Sequence, residues 1–133
     1  MRTLCVGEAL VDLVCERPVA SISEADAFVP RFGGAIANVA VTAARRGASV
    51  ALAGGVGTDP WGGWLAERLE GEGVDLTWFD RRDDIATPVA FVTLDAQAQP
   101  SFAIYGAGLR AAITGLGDRL MDIHDPGRPG RGQ

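Results

Sequence analysis

Gly33-Gly34-Ala35-Ile36-Ala37-Asn38-Val39-Ala40 opens the stretch that decides the fold, and Gly54-Gly55-Val56-Gly57-Thr58-Asp59-Pro60-Trp61-Gly62 closes it. Between them, the Ala- and Val-rich composition predicts a helix over about 35–46 packed closely on a sheet. Arg45 and Arg46 sit at its negative end, and Gly47 stands at the C′ stop. Ser49–Ala53 reads as the next strand. Asp59 followed by Pro60 is an N-cap and first helical position, after which Trp61, Leu65 and Leu69 fall on one face until Gly71 or Gly73 ends the helix. A further strand is predicted at about Asp75–Phe79.

Working outward, residues 3–7 read as a short buried strand closed by Gly7. From Val11 to Arg31, β-type alternation is broken by Pro18, Ser21, Ser23 and Pro30, which fits a small hairpin outside the main sheet, placed as a lid. Strand, hairpin, helix, strand, helix, strand is the order of a parallel α/β sheet with right-handed crossovers. Thr87–Leu94 and Ser101–Tyr105 flank the polar turn 95–100 and make a second hairpin, and Leu109–Leu120 has room for a short helix before a loose Gly/Pro/Arg tail.

The paired glycines let a ligand approach the backbone, and the helix after them aims its unpaired N–H groups and Asn38 at the same spot, which makes a hydroxyl-binding corner. Gly33, Gly34, Asn38, Ala40, Gly47 and Gly57 stand where the first signature of the ribokinase/PfkB family of sugar kinases puts them, and the chain resembles that family over about residues 1–110. Ile36 departs from it, where fructokinase-like members carry a small residue or Pro. The resemblance implies a ribokinase-like parallel sheet flanked by helices with a small β lid. For the full-length family member it also implies ATP-dependent transfer of a phosphoryl group to a sugar hydroxyl, with Mg2+, and a homodimer through lid strands, while neither ATP nor Mg2+ is expected on this chain alone.

By the same resemblance, Asp12 grips two sugar hydroxyls, a task suited to a carboxylate, which accepts two hydrogen bonds at once. Taken alone, Asp12 also reads as a solvated strand-end carboxylate, Asn38 as a local backbone cap, and Gly33 and Gly34 as a bare turn. Of the lid aromatics Phe91, Phe102 and Tyr105, which fit a strand core equally, Tyr105 is the candidate sugar contact. Gly106 follows it where fructokinase-like relatives often have Arg. Fructose fits the flavour of the sequence best, with 2-keto-3-deoxygluconate, ribose and nucleosides left open.

The family's second motif, Asp-Thr-x-Gly-Ala-Gly-Asp, supplies backbone donors for the phosphate charge and the aspartate base. The sequence does not contain it. Thr114-Gly115-Leu116-Gly117-Asp118 has the final Asp but no leading one, and comes far too early, so Asp118 reads as a helix-end turn and not as a base. Residues 1–110 therefore read as the sugar-binding N-terminal part of such a kinase. Residues 111–133 read as a poorly structured tail, of the kind that truncation or a frameshift leaves, and the fold is read as incomplete.

Composition narrows the alternatives. A net charge of −5, with no Lys, lacks the clustered cations that nucleic acid or an anionic membrane needs. Cys5 and Cys15 have no partner at metal-ligand spacing and His124 stands alone in the tail, so no metal is expected, and reduced thiols point to a cytoplasmic home. No apolar run approaches membrane-spanning length. Gly55-x-Gly57 before a helix also suggests a Rossmann-type NAD(P)-binding oxidoreductase, but the third fingerprint position falls on Pro60 and the loop follows the second strand. The remaining alternative is a non-catalytic sugar-binding or interaction module.

Overall fold

The computed structural model describes residues 1–106. The predicted helix over 109–120, the tail, Asp118 and His124 lie outside them. Among the described residues, seven strands and two α-helices run in the order β1 (Thr3–Val6), β2 (Leu10–Cys15), β3 (Phe28–Gly33), α1 (Ala35–Arg45), β4 (Val50–Gly57), α2 (Pro60–Gly71), β5 (Phe79–Arg82), β6 (Val89–Leu94) and β7 (Pro100–Tyr105). A 3-10 turn, Ile22–Glu24, lies between β2 and β3.

The strands form two sheets. The first is parallel, in the order β1-β4-β5, and the second runs β3-β2-β6-β7. Both predicted hairpins are present, β2 with β3 and β6 with β7. They are fused into one four-stranded lid by a parallel β2–β6 pairing, in which Val11 lies opposite Val89 and Asp12 opposite Ala90.

Strand β4 is buried along its whole length, as a central parallel strand should be. It runs four residues beyond the predicted end, because Gly54–Gly57 pair with Phe79–Arg82 of β5. A side chain at Gly54 would run into the Gly7 carbonyl, and one at Gly57 would lie 2.5 Å from the carbonyl of Ile85. The strand predicted at Asp75–Phe79 begins only at its last residue. Asp75 makes a single bridge to Ala51, and its Oδ1 then accepts from the backbone N–H and hydroxyl of Thr77, turning the chain before it can extend. Strand β1 is not the buried strand expected. It pairs only with β4 among the described residues, and Leu4 and Val6 on one face are 37% and 38% exposed while Cys5 on the other is buried.

Helices α1 and α2 bury their apolar stripes in one cluster. Ala37, Ala40 and Val41 from α1 meet Leu65 and Leu69 from α2 over Leu52, Val56 and Phe79. Their C-terminal ends are tied by a two-pronged pair, Arg45 Nε and Nη2 donating to the Glu72 carboxylate at 2.6 Å each. Asp59 caps α2 and Pro60 occupies its first turn, as read from the sequence. Leu65 and Leu69 are wholly buried, whereas Trp61 is only partly so and stacks edge-on against Trp64 at 5.7 Å. Leu65→Ala is therefore expected to cost about 2–5 kcal/mol in urea unfolding, and Trp61→Ala less.

Among the described residues no helix is long and apolar enough to cross a membrane. Cys5 and Cys15 are both free thiols.

Candidate functional site

Strand β2 leaves the main sheet, and Asp12 is its third residue, half-buried and on the same lid face as Arg31, Ala90 and Ile104. Its carboxyl group lies directly over Gly33, so close that a β-carbon there would collide with it. Gly33 is thus a glycine because the carboxylate needs its space. Gly34 is one for backbone reasons. It is the N-cap of α1 at φ 95°, and a β-carbon would sit 2.7 Å from the Glu8 carbonyl.

No side chain caps α1. Its first-turn N–H groups are left to solvent or a ligand, beside a carboxylate that makes no hydrogen bond to other described residues. Burial pushes the Asp12 carboxyl above its ordinary value. Asn38 stands one turn further on. Its backbone N–H donates to Gly34 O at 3.0 Å, and its exposed side chain makes no hydrogen bond to other described residues, so it does not act as the local cap. It lines an open groove of about 490 Å³ with Val39, Thr42, Ala43 and Arg46 along the outer side of α1.

Asp12, Gly33 and Gly34 therefore come together, with Asn38 a turn away along the helix. Tyr105 is not brought to them. It pairs with Val89, which puts it on the opposite lid face from Asp12, edge-on to Phe91 at 5.6 Å, and Phe91 meets Phe28 at 5.2 Å. The lid residues that do share the Asp12 face, Phe102 and Ile104, are 64% and 63% exposed. Alternation along β7 separates them from Tyr105, but only the β2–β6 pairing says which set faces Asp12.

Ile36, the departure from the glycine signature, packs over Gly7, whose added β-carbon would lie 2.8 Å from that of Ile36. Its side chain is partly buried against the core cluster.

The second glycine run is engaged internally. Asp59 Oδ1 accepts from Gly62 N–H at 2.9 Å, and Oδ2 accepts from Thr87 N–H at 2.8 Å. Desolvation of Asp59 acts to raise its pKa, but these hydrogen bonds outweigh it and hold the carboxyl below its ordinary value. An anion already occupies the N-terminus of α2, which leaves no cradle there for a dinucleotide pyrophosphate. Among the described residues no cluster of three His, Cys, Asp or Glu side chains is arranged to hold a metal ion.

The pfkB family carbohydrate kinase profile matches residues 2–116. Fructokinase-1 of Oryza sativa subsp. japonica is 41% identical over 99 residues, which are 74% of this chain and 31% of the relative. Probable fructokinase-7 of Arabidopsis thaliana is 39% identical over 102 residues, covering 77% and 30%. An uncharacterized sugar kinase from Pyrococcus horikoshii superposes with a TM-score of 0.74 at 35% identity, over 79% of this chain and 34% of that one, and has also been solved in complex with ATP. Halothermothrix orenii fructokinase gives a TM-score of 0.74 at 30% identity, over 80% and 38%. The chain spans about a third of the length of the relatives it matches. With the family profile matching residues 2–116 and the fold superposing on solved sugar kinases, the chain belongs to the PfkB family of carbohydrate kinases.

Proposed function

We propose that these residues form the sugar-binding part of an ATP-dependent sugar kinase with a fructose-like substrate. The observation that carries the reading is the juxtaposition of the Asp12 carboxylate, lying on Gly33, with the uncapped N-terminus of α1 at Gly34. A polyol needs acceptors and donors side by side. Asp12 accepts from two neighbouring hydroxyls, while the α1 N–H groups and the Asn38 amide donate to a third oxygen. ATP with Mg2+ would supply the phosphoryl group in the complete reaction. The sequence holds no Asp-Thr-x-Gly-Ala-Gly-Asp run to stabilise the phosphate charge and take the hydroxyl proton, so this chain binds sugar without turning it over. The free thiols Cys5 and Cys15 fit a reduced, cytoplasmic setting.

Calorimetric titration of the chain with fructose and a panel of other sugars tests the reading, and its pH dependence sharpens it. Only the ionised carboxylate accepts from both hydroxyls. Affinity should therefore fall as pH drops through the raised pKa of Asp12, at a higher pH than an ordinary aspartate would give. Absence of saturable binding by any sugar contradicts the reading.

A homodimer formed through the lid belongs to the same proposal. On the Asp12 face, Val29, Leu94, Phe102 and Ile104 are 36%, 40%, 64% and 63% exposed, a set of apolar side chains that a second copy would cover. Sedimentation equilibrium should give twice the chain mass, and Phe102→Glu with Ile104→Glu should return it to the monomer. A monomeric parent chain counts against the dimer.

A further inference from the structure

We propose that Asp59 is a positioning residue, whose carboxylate latches the start of lid strand β6 to the N-terminus of α2 and thereby fixes the strand that carries Asp12. A helix N-cap needs one acceptor oxygen, which is why Ser or Thr serves as well as Asp. Asp59 uses one oxygen that way, on Gly62 N–H at 2.9 Å. Its other oxygen accepts from Thr87 N–H at 2.8 Å, 28 residues away in sequence, and capping does not require that bond.

Thr87 passes the connection on. It is 4% exposed, and its hydroxyl oxygen accepts from Gly57 N–H at 3.0 Å, joining the latch to the end of β4. The carbonyl of the next residue, Pro88, accepts from Val11 N–H at 3.0 Å, one residue before Asp12. The end of β7 passes the same point, where a β-carbon on Gly106 would lie 2.6 Å from the Thr87 carbonyl oxygen. At Gly62 the space is closed as well, since a β-carbon there would meet the Thr87 hydroxyl at 3.0 Å. The end of β4, the start of α2 and three of the four lid strands thus meet at Thr87 and Pro88, the segment this carboxylate holds. Breaking its outer bond frees the base of the lid at the end where Asp12 sits, while α2 keeps its cap.

The structural part of this inference stands alone, and its effect on sugar rests on the function proposed above. The test is amide hydrogen exchange followed by NMR on the whole chain, comparing wild type, Asp59→Ser and Leu69→Ala. Ser retains the cap and is too short to reach Thr87. Asp59→Ser should lower the protection of β2 and β6 amides, Val11 among them, at least tenfold, with Leu52 and Val56 in β4 unchanged. Leu69→Ala, a core truncation at the far end of α2, should lower both sets together. Equal loss in both sets for Asp59→Ser, or an unchanged lid, overturns the latch. In the same samples, fructose should shift the Gly34 and Asn38 amides, with its affinity reduced more than fivefold in Asp59→Ser. If fructose leaves wild type unshifted, the sugar reading fails while the exchange result still decides the latch.

Discussion

Replacing Asp12 by Asn should weaken fructose binding by well over tenfold and leave the chain as stable at neutral pH as before, or more so. Each charge-assisted hydrogen bond is worth about 1.5–3 kcal/mol, and 1.4 kcal/mol is a factor of ten in affinity. Stability should move the other way. The folded-state pKa of Asp12 is raised by burial, so the folded chain favours the protonated form. That contribution is present below the unfolded pKa and lost as pH rises through the folded one. At neutral pH the ionised, partly desolvated carboxylate works against the fold, and a neutral amide relieves it. Calorimetric titration with fructose and a thermal melt on the same samples check both halves. A variant that loses stability and keeps its affinity would make Asp12 a structural residue.

The purified 133-residue chain should form no ADP above background with fructose and ATP. Removing one anion-hole donor from an enzyme costs about a factor of 100 to 1,000 in kcat, and here the sequence carries neither the Gly-rich donors nor the base of the family's second motif. A coupled ADP assay across a sugar panel is sufficient. Robust turnover by the chain would redirect attention to Thr114–Asp118 as a shortened catalytic run. The exposed Leu4 and Val6 on the open face of the main sheet further lead us to expect self-association at high concentration, which size-exclusion chromatography would register.

What the sequence disclosed was mostly local. The capping pair Asp59 and Pro60, the stop at Gly47, and the pattern Leu65 and Leu69 each depend on a few neighbouring residues, and each lies where it was expected. The strand between 75 and 82 was misplaced because the Asp75–Thr77 turn interrupts an otherwise strand-like run. Strand β4 was cut short because its glycines look like a loop, whereas they are there to admit the Gly7 and Ile85 carbonyls. The join between hairpins was not legible at all. A parallel pairing of β2 with β6 brings together residues nearly eighty apart in sequence with no turn to announce it. Without that pairing, the side of the lid taken by Tyr105 was a matter of even odds, and the second oxygen of Asp59 had no visible partner.

The most direct test of the sugar-binding corner is amide chemical-shift mapping of the isotope-labelled chain titrated with fructose. The account predicts saturable shifts concentrated at Asp12, Gly33, Gly34 and the first turn of α1 through Asn38, and their loss in Asp12→Asn. Shifts centred instead on Phe28, Phe91 and Tyr105, or on Gly57–Gly62 at the start of α2, would contradict it.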